Sequence, residues 1–175
     1  MMTRTAVVAL GGNALASANE RATVYDQFRH TRQSLRPIVE LALDGWSVCV
    51  VHGNGPQVGD ELVRNEVARD EASPLPLGVL VAATAGWIGY MIQQSLENAL
   101  TRAGSPRSVA TVITQVQVDP ADPALRNPNK FIGRGLSRER ARQLQAEGHV
   151  VKTDGHGKLR RVVGSPAPTS IRELP

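Results

Sequence analysis

Two glycine-bearing segments carry the chemistry that this sequence is equipped to perform. The first is Gly11-Gly12-Asn13, directly behind the apolar run Ala6-Val7-Val8-Ala9-Leu10. Glycines at such a point let the main chain approach a ligand closely and turn bare N–H groups toward an anion. The second is His52-Gly53-Asn54-Gly55-Pro56-Gln57-Val58-Gly59, directly behind the run Ser47-Val48-Cys49-Val50-Val51. Pro56 suits the first turn of a helix, whose N-terminus adds partial positive charge and free donors, a seat for phosphate or carboxylate. Either turn alone is common as a purely structural feature. Two of them behind neighbouring strands are expected to converge on one crevice beyond the strands' carboxyl ends. A third segment, Asn127-Pro128-Asn129-Lys130-Phe131-Ile132-Gly133, holds a lysine in a loop bounded by proline and glycine. There it acts as a point charge toward a transferring phosphoryl group, or is simply solvated.

Other chemistries lack their residues. Neither G-x-G-x-x-G nor a Walker-A loop is present, and no G-x-S-x-G elbow supplies a hydrolase nucleophile. His30, His52, His149 and His156 show no metal-ligand spacing, so no residue is assigned to a metal. A single cysteine, Cys49, excludes an internal disulfide and a cysteine zinc site, and its apolar surroundings predict a small buried hydrophobe. Lys and Arg number 20 against 16 Asp and Glu, a net charge of +4. The one dense cluster, Lys158-Leu159-Arg160-Arg161, has no interleaved aromatics, which argues against nucleic acid and suits a small anionic substrate. No apolar run approaches the ~18 residues of a membrane span, and a cytoplasmic location is expected.

The elements that must position these turns follow from periodicity. Of the 175 residues, 41% are hydrophobic but only 3% aromatic, so the core is expected from Val, Leu, Ile and Ala, as in a parallel sheet covered by helices. Arg4, the run 6–10 and Ala16-Ser17-Ala18 superficially suggest a leader peptide, but five apolar residues broken by glycine read as a first strand. A helix is predicted over 24–43, with Pro37 set to kink or divide it, and the strand at 47–51 completes a right-handed βαβ unit. A further helix is predicted from Pro56 to about Arg69, then a loop at Pro74 and Pro76. The weakly charged stretch 79–103 predicts a long helix buried on most sides, in the core or at a subunit interface. Beyond it come a strand or hairpin over 109–118, a loop over 119–128, a helix over 136–147 capped by Ser137, and a hairpin of 149–152 with 159–163.

Taken in order, several segments resemble the carbamate kinase family of amino-acid kinases. They are Val7 to Leu15, His52 to Gly59, Gly86-Trp87-Ile88-Gly89-Tyr90-Met91-Ile92-Gln93-Gln94, Val112 to Val116, Asn127 to Gly133, and Arg160-Arg161-Val162-Val163 with Ser165-Pro166 and Pro168. The likeness covers nearly the whole chain. It departs at Gly78-Val79-Leu80 and Thr84-Ala85-Gly86, where the family usually has Asp and Cys and then a Gln, and at Arg134-Gly135-Leu136, where it tends to a proline and an aromatic.

The resemblance implies an α/β fold, a three-layer αβα sandwich on a mainly parallel sheet, with a small protruding β-rich lobe at about 109–163. The chain is then expected to be the N-terminal substrate-binding domain, without the C-terminal nucleotide-binding half. The implied reaction is ATP + carbamate ⇌ ADP + carbamoyl phosphate with Mg²⁺, and weak or no activity of the chain alone. Gly11, Gly12 and Asn13 are implied to contact the transferring phosphoryl and carbamate, with Gly53, Asn54 and Gly55 completing the pocket. Lys130 and Asn13 are the implied catalytic residues, and a homodimer is implied through the central helix. The alternatives are a non-catalytic anion-binding remnant, one half of a split kinase, or a sibling kinase for another small carboxylate.

Overall fold

The computed structural model of the chain describes residues 4–11, 15 and 23–172. Runs rich in valine make Thr5–Leu10 (β1) and Ser47–His52 (β2) strands, which pair in parallel from Thr5 opposite Ser47 to Leu10 opposite His52. Parallel pairing demands a long crossover, and here it is helical. Of the two outcomes expected at Pro37 the helix is divided, into Val24–Ser34 (α1) and Arg36–Leu43 (α2). Pro37 falls in the first turn of α2, where its missing N–H costs nothing, so the helix restarts after Leu35. Thr23 and Asp26 cap α1 reciprocally, an arrangement worth about 1 kcal/mol.

After β2 come Gly55–Val67 (α3) and the long Leu77–Arg102 (α4). Then follow Gln115–Val118 (β3), Pro123–Arg126 (α5), Lys130–Leu136 (β4), Arg138–Ala146 (α6), Val151–Thr153 (β5), Leu159–Val163 (β6) and Pro168–Arg172 (β7). These elements form two compact units.

The first unit comprises Met1–Asn54 with Ala83–Thr111. Its core joins Leu10, Val8, Val48 and Val50 of the sheet to Leu35 and Ile38, and to Ile88, Met91, Ile92 and Leu96 of α4. Burying each of those α4 side chains contributes about 1.5–3 kcal/mol, so packing of this one face, more than propensity, holds the helix. Strand alternation sends the odd-numbered residues the other way. Val7 is 71% exposed, Val51 46%, and Cys49 is exposed with them. This corrects the reading of Cys49 as buried. Its apolar neighbours in sequence are real, but it stands on the sheet face opposite the one packed by α4.

The second unit comprises Gly55–Ala82 with Val112–Pro175. All its strand pairings are antiparallel, in the order β4-β6-β5 and, separately, β3 with β7. The hairpin of β5 and β6 forms as expected. The strand predicted over 109–118 shrinks to its last four residues, those that find a partner in β7. Within the loop predicted over 119–128, Asp122 accepts from the Ala124 N–H at 2.7 Å and starts the single turn α5. Ser137 caps α6 by accepting from the Arg140 N–H at 3.1 Å. Val58, Leu62, Leu80 and Ile132 form the unit's core.

Candidate functional site

A glycine in a folded chain answers to one of three demands: a backbone conformation, a close contact, or access for something else. Gly45, Gly104, Gly133, Gly148 and Gly157 have φ between 69° and 86° and answer to the first. Gly59 answers to the second, since a Cβ there would lie 2.3 Å from the Gly133 Cα. Gly11, Gly53 and Gly55 answer to neither. None adopts positive φ, and a Cβ at any of them would meet no atom within 4 Å.

In the first unit the parallel register fixes where two of these lie. Leu10 stands opposite His52, and the Gly53 N–H donates to the Leu10 carbonyl at 3.4 Å. Gly11 and Gly53 therefore leave the same, carboxyl end of the strand pair, and both are exposed. This is the juxtaposition expected of the two turns. Gly12 and Asn13 lie outside the described residues. Asn54 is half-buried, and its Nδ2 donates to Thr84 Oγ1 at 3.0 Å.

Thr84 is the residue that sequence reasoning missed as a participant. It is fully buried in α4 and holds the Asn54 side chain behind the second turn. The available signal was a hydroxyl at the middle of the spacing Leu80, Thr84, Ile88, the stripe that α4 buries. Replacing it by valine keeps the shape and removes the acceptor. Thr84→Val is expected to lower stability by about 0.5–1.5 kcal/mol, the net worth of one side-chain hydrogen bond. Thr84→Ser is expected to retain most of the lost stability. Urea unfolding checks this, and equal midpoints for wild type and the valine variant would exclude a role for the bond.

In the second unit, Gly55 is the first residue of α3 and is exposed. Lys130 is not in a loop, as expected, but is the first residue of β4, opposite Val163. Pairing with β6 extends the strand back to it. Its side chain is exposed, with no ion pair or hydrogen bond among the described residues. The other cations of the matching motifs are committed to the fold. Arg160 Nη2 donates to the Gly133 carbonyl at 2.6 Å, and its guanidinium lies 5.7 Å from the Phe131 ring centre. Arg161 Nη1 is 3.8 Å from Glu66 Oε1, and Glu66 also receives Arg140. Burial pulls the Arg161 pKa below its usual value, against the opposing field of Glu66. Lys130 is thus the uncommitted cation of this set.

Among the described residues no group of three or more His, Cys, Asp or Glu side chains could hold a metal ion. No described helix is long and apolar enough to cross a membrane.

No family model matches the chain. Carbamate kinase of Pyrococcus furiosus is 41% identical over 170 residues, which are 95% of this chain and 54% of that protein. Carbamate kinase 1 of Enterococcus faecium is 42% identical over 173 residues, 98% of this chain and 55% of that one. Among solved structures, carbamate kinase from Giardia lamblia bound to citric acid matches with a TM-score of 0.88 at 35% identity, covering 97% of this chain and 55% of its own. The chain therefore spans about half the length of the curated relatives it matches.

Proposed function

Because this chain belongs to the carbamate kinase family over the length it spans, we propose that it carries the carbamate-binding part of a kinase that interconverts ATP and carbamate with ADP and carbamoyl phosphate. The α/β fold read from the sequence is shared with the solved family members. One observation supports the site above all: Gly11, Gly53 and Gly55 leave open space that neither backbone conformation nor packing requires. Main chain left uncovered by side chains in this way lets the oxygens of a phosphoryl or carboxyl group approach closely.

In the proposed reaction a carbamate oxygen attacks the γ-phosphorus of ATP and the bond to the ADP oxygen breaks. Such a transfer needs positioning and charge neutralisation more than covalent help. Gly11, Gly12, Asn13, Gly53, Asn54 and Gly55 hold the acceptor and the phosphoryl oxygens, and Lys130 offsets the charge spread over those oxygens. Mg²⁺ supplies further neutralisation in this chemistry, but the described residues hold no acidic cluster to seat it. By the family resemblance, the nucleotide is held by the part of the family fold outside these residues.

The test is ATP formation by the purified chain given ADP, Mg²⁺ and carbamoyl phosphate. Turnover above the uncatalysed rate that falls about 10²-fold or more in Lys130→Ala supports the kinase reading, as loss of a transition-state charge partner should. Carbamoyl phosphate binding without turnover, by a folded chain, selects the non-catalytic or split-enzyme alternative. A folded chain that neither binds nor turns over removes both.

The family resemblance also supports a homodimer through α4. That helix leaves Val79, Val81 and Tyr90 exposed at 47%, 40% and 59%. Aromatic side chains are favoured anchors of such contacts, and a charge in their place is costly. Tyr90→Glu is expected to convert dimers to folded monomers by light scattering. An unchanged dimer would place the interface elsewhere.

A further inference from the structure

We infer that the groove between the α1–α2 junction and the last two turns of α4 is a binding site for a small organic anion with two acidic groups. It lies wholly within the first unit and uses none of the glycine-turn residues.

The groove is a cavity of about 280 Å³ with three guanidinium groups around it, from Arg32, Arg36 and Arg102. The single carboxylate there is Glu40, whose Oε1 is 3.2 Å from Arg36 Nε and so already has its counter-charge. Arg32 and Arg102 have no ion pair or hydrogen bond among the described residues. Two positive charges are therefore left facing one cavity. Ser95 lines the same cavity and is only 5% exposed, so its hydroxyl joins the arginines in the wall. A serine hydroxyl in such a lining can donate to an acceptor placed in the groove.

The chemical class of the ligand follows from the lining. Leu35 and Val39 make part of the wall apolar, so the occupant carries a hydrocarbon body between its acidic ends. At about 30 Å³ per water the groove holds roughly nine waters, room enough for a five-carbon dicarboxylate such as glutarate together with some water. The arginines have a simpler use, since Arg32 and Arg102 each close the last turn of a helix, where cations complement the helix dipole. That accounts for each one singly. It does not account for their lining one cavity together with Arg36 and Ser95.

The test is a titration of the ¹⁵N-labelled chain with glutarate, and separately with inorganic pyrophosphate, followed by amide shifts at low ionic strength. Saturable shifts are expected in Leu35–Glu40 and Ser95–Arg102, with Gly53 unmoved. Arg32→Ala/Arg102→Ala is expected to weaken glutarate about tenfold, and Ser95→Ala about threefold, in line with charged and neutral hydrogen bonds lost. Arg32 and Arg102 are exposed and Ser95→Ala removes a single atom, and far-UV circular dichroism checks that the variants fold. Absence of a saturable shift, movement of Gly53 alone, or equal affinity in the double variant would overturn the site. Pyrophosphate binding as tightly as glutarate would overturn the organic-anion assignment.

Discussion

Gly59→Ala is expected to unfasten α3 from β4, although glycine-to-alanine within a helix normally stabilises. The ordinary gain is about 1 kcal/mol of helix propensity. Here a Cβ would sit 2.3 Å from the Gly133 Cα and 2.9 Å from its nitrogen, backbone atoms that cannot swing aside. Gly133 is itself held. Its φ is +69°, it lies where the β4–β6 register shifts, and its carbonyl accepts from Arg160. The bidentate contact of Arg134 with Asp60, at 3.0 and 3.2 Å, further ties β4 to α3. Overpacking commonly costs 1–3 kcal/mol and more against rigid neighbours, so the clash exceeds the propensity gain and a net loss of about 2 kcal/mol or more is expected. Hydrogen exchange read by mass spectrometry should show protection lost across 55–67 and 130–136. Unchanged exchange there would mean that the two backbones separate at no cost. Gly133→Ala is the comparison: its Cβ would find 3.6 Å of room, leaving chiefly the positive-φ penalty of about 1–2 kcal/mol.

Gly53→Val is expected to do the reverse, abolishing ligand binding while leaving stability alone. The position is exposed, has no positive φ, and offers a side chain open space. A substitution of this kind moves stability by no more than about 0.5 kcal/mol. If the bare main chain at Gly53 touches the substrate, three added carbons occupy the substrate's place. Carbamoyl phosphate affinity, measured by isothermal titration, is then expected to fall at least about 100-fold, the loss of roughly 2.7 kcal/mol. Equal affinity with equal stability would show that the space at Gly53 is merely solvent, and would sink the proposed site. Paired with Gly59→Ala, this variant separates two glycines six residues apart into a ligand position and a packing position.

That separation marks the limit of what could be read from the chain. The two strands, the helical crossover between them and the helix opened by Pro56 are legible, because apolar runs and proline placement act within a few residues. Pro37 is legible as a kink or a division, and the fold selects the division, with Pro37 in the first turn of α2. The segment 109–118 alternates as a strand should, yet only four of its residues pair, because a strand exists only where another supplies its hydrogen bonds. Lys130 reads as a loop residue for the same reason, its strand partner Val163 lying 33 positions on.

The candidate site divides along the same line. Residue types alone singled out Gly11, Gly53, Asn54, Gly55 and Lys130, since the capacity to bare an N–H or carry a charge belongs to the residue itself. The sequence treated His52 to Gly59 as one motif, whereas packing assigns its parts different work. Gly53 and Gly55 face open space, Gly59 is pressed against Gly133, and Asn54 is held by Thr84 from thirty residues away. Cys49 shows the contrast most simply. Its apolar neighbours are local, but which face of the strand receives the helices depends on the register with β1 and the path of α4, and those place it in solvent. Composition and short-range pattern thus identify which groups can meet an anion. Which of them are free to do so is settled by long-range contacts, because a side chain's or a glycine's surroundings are built from residues that its own sequence neighbourhood does not contain.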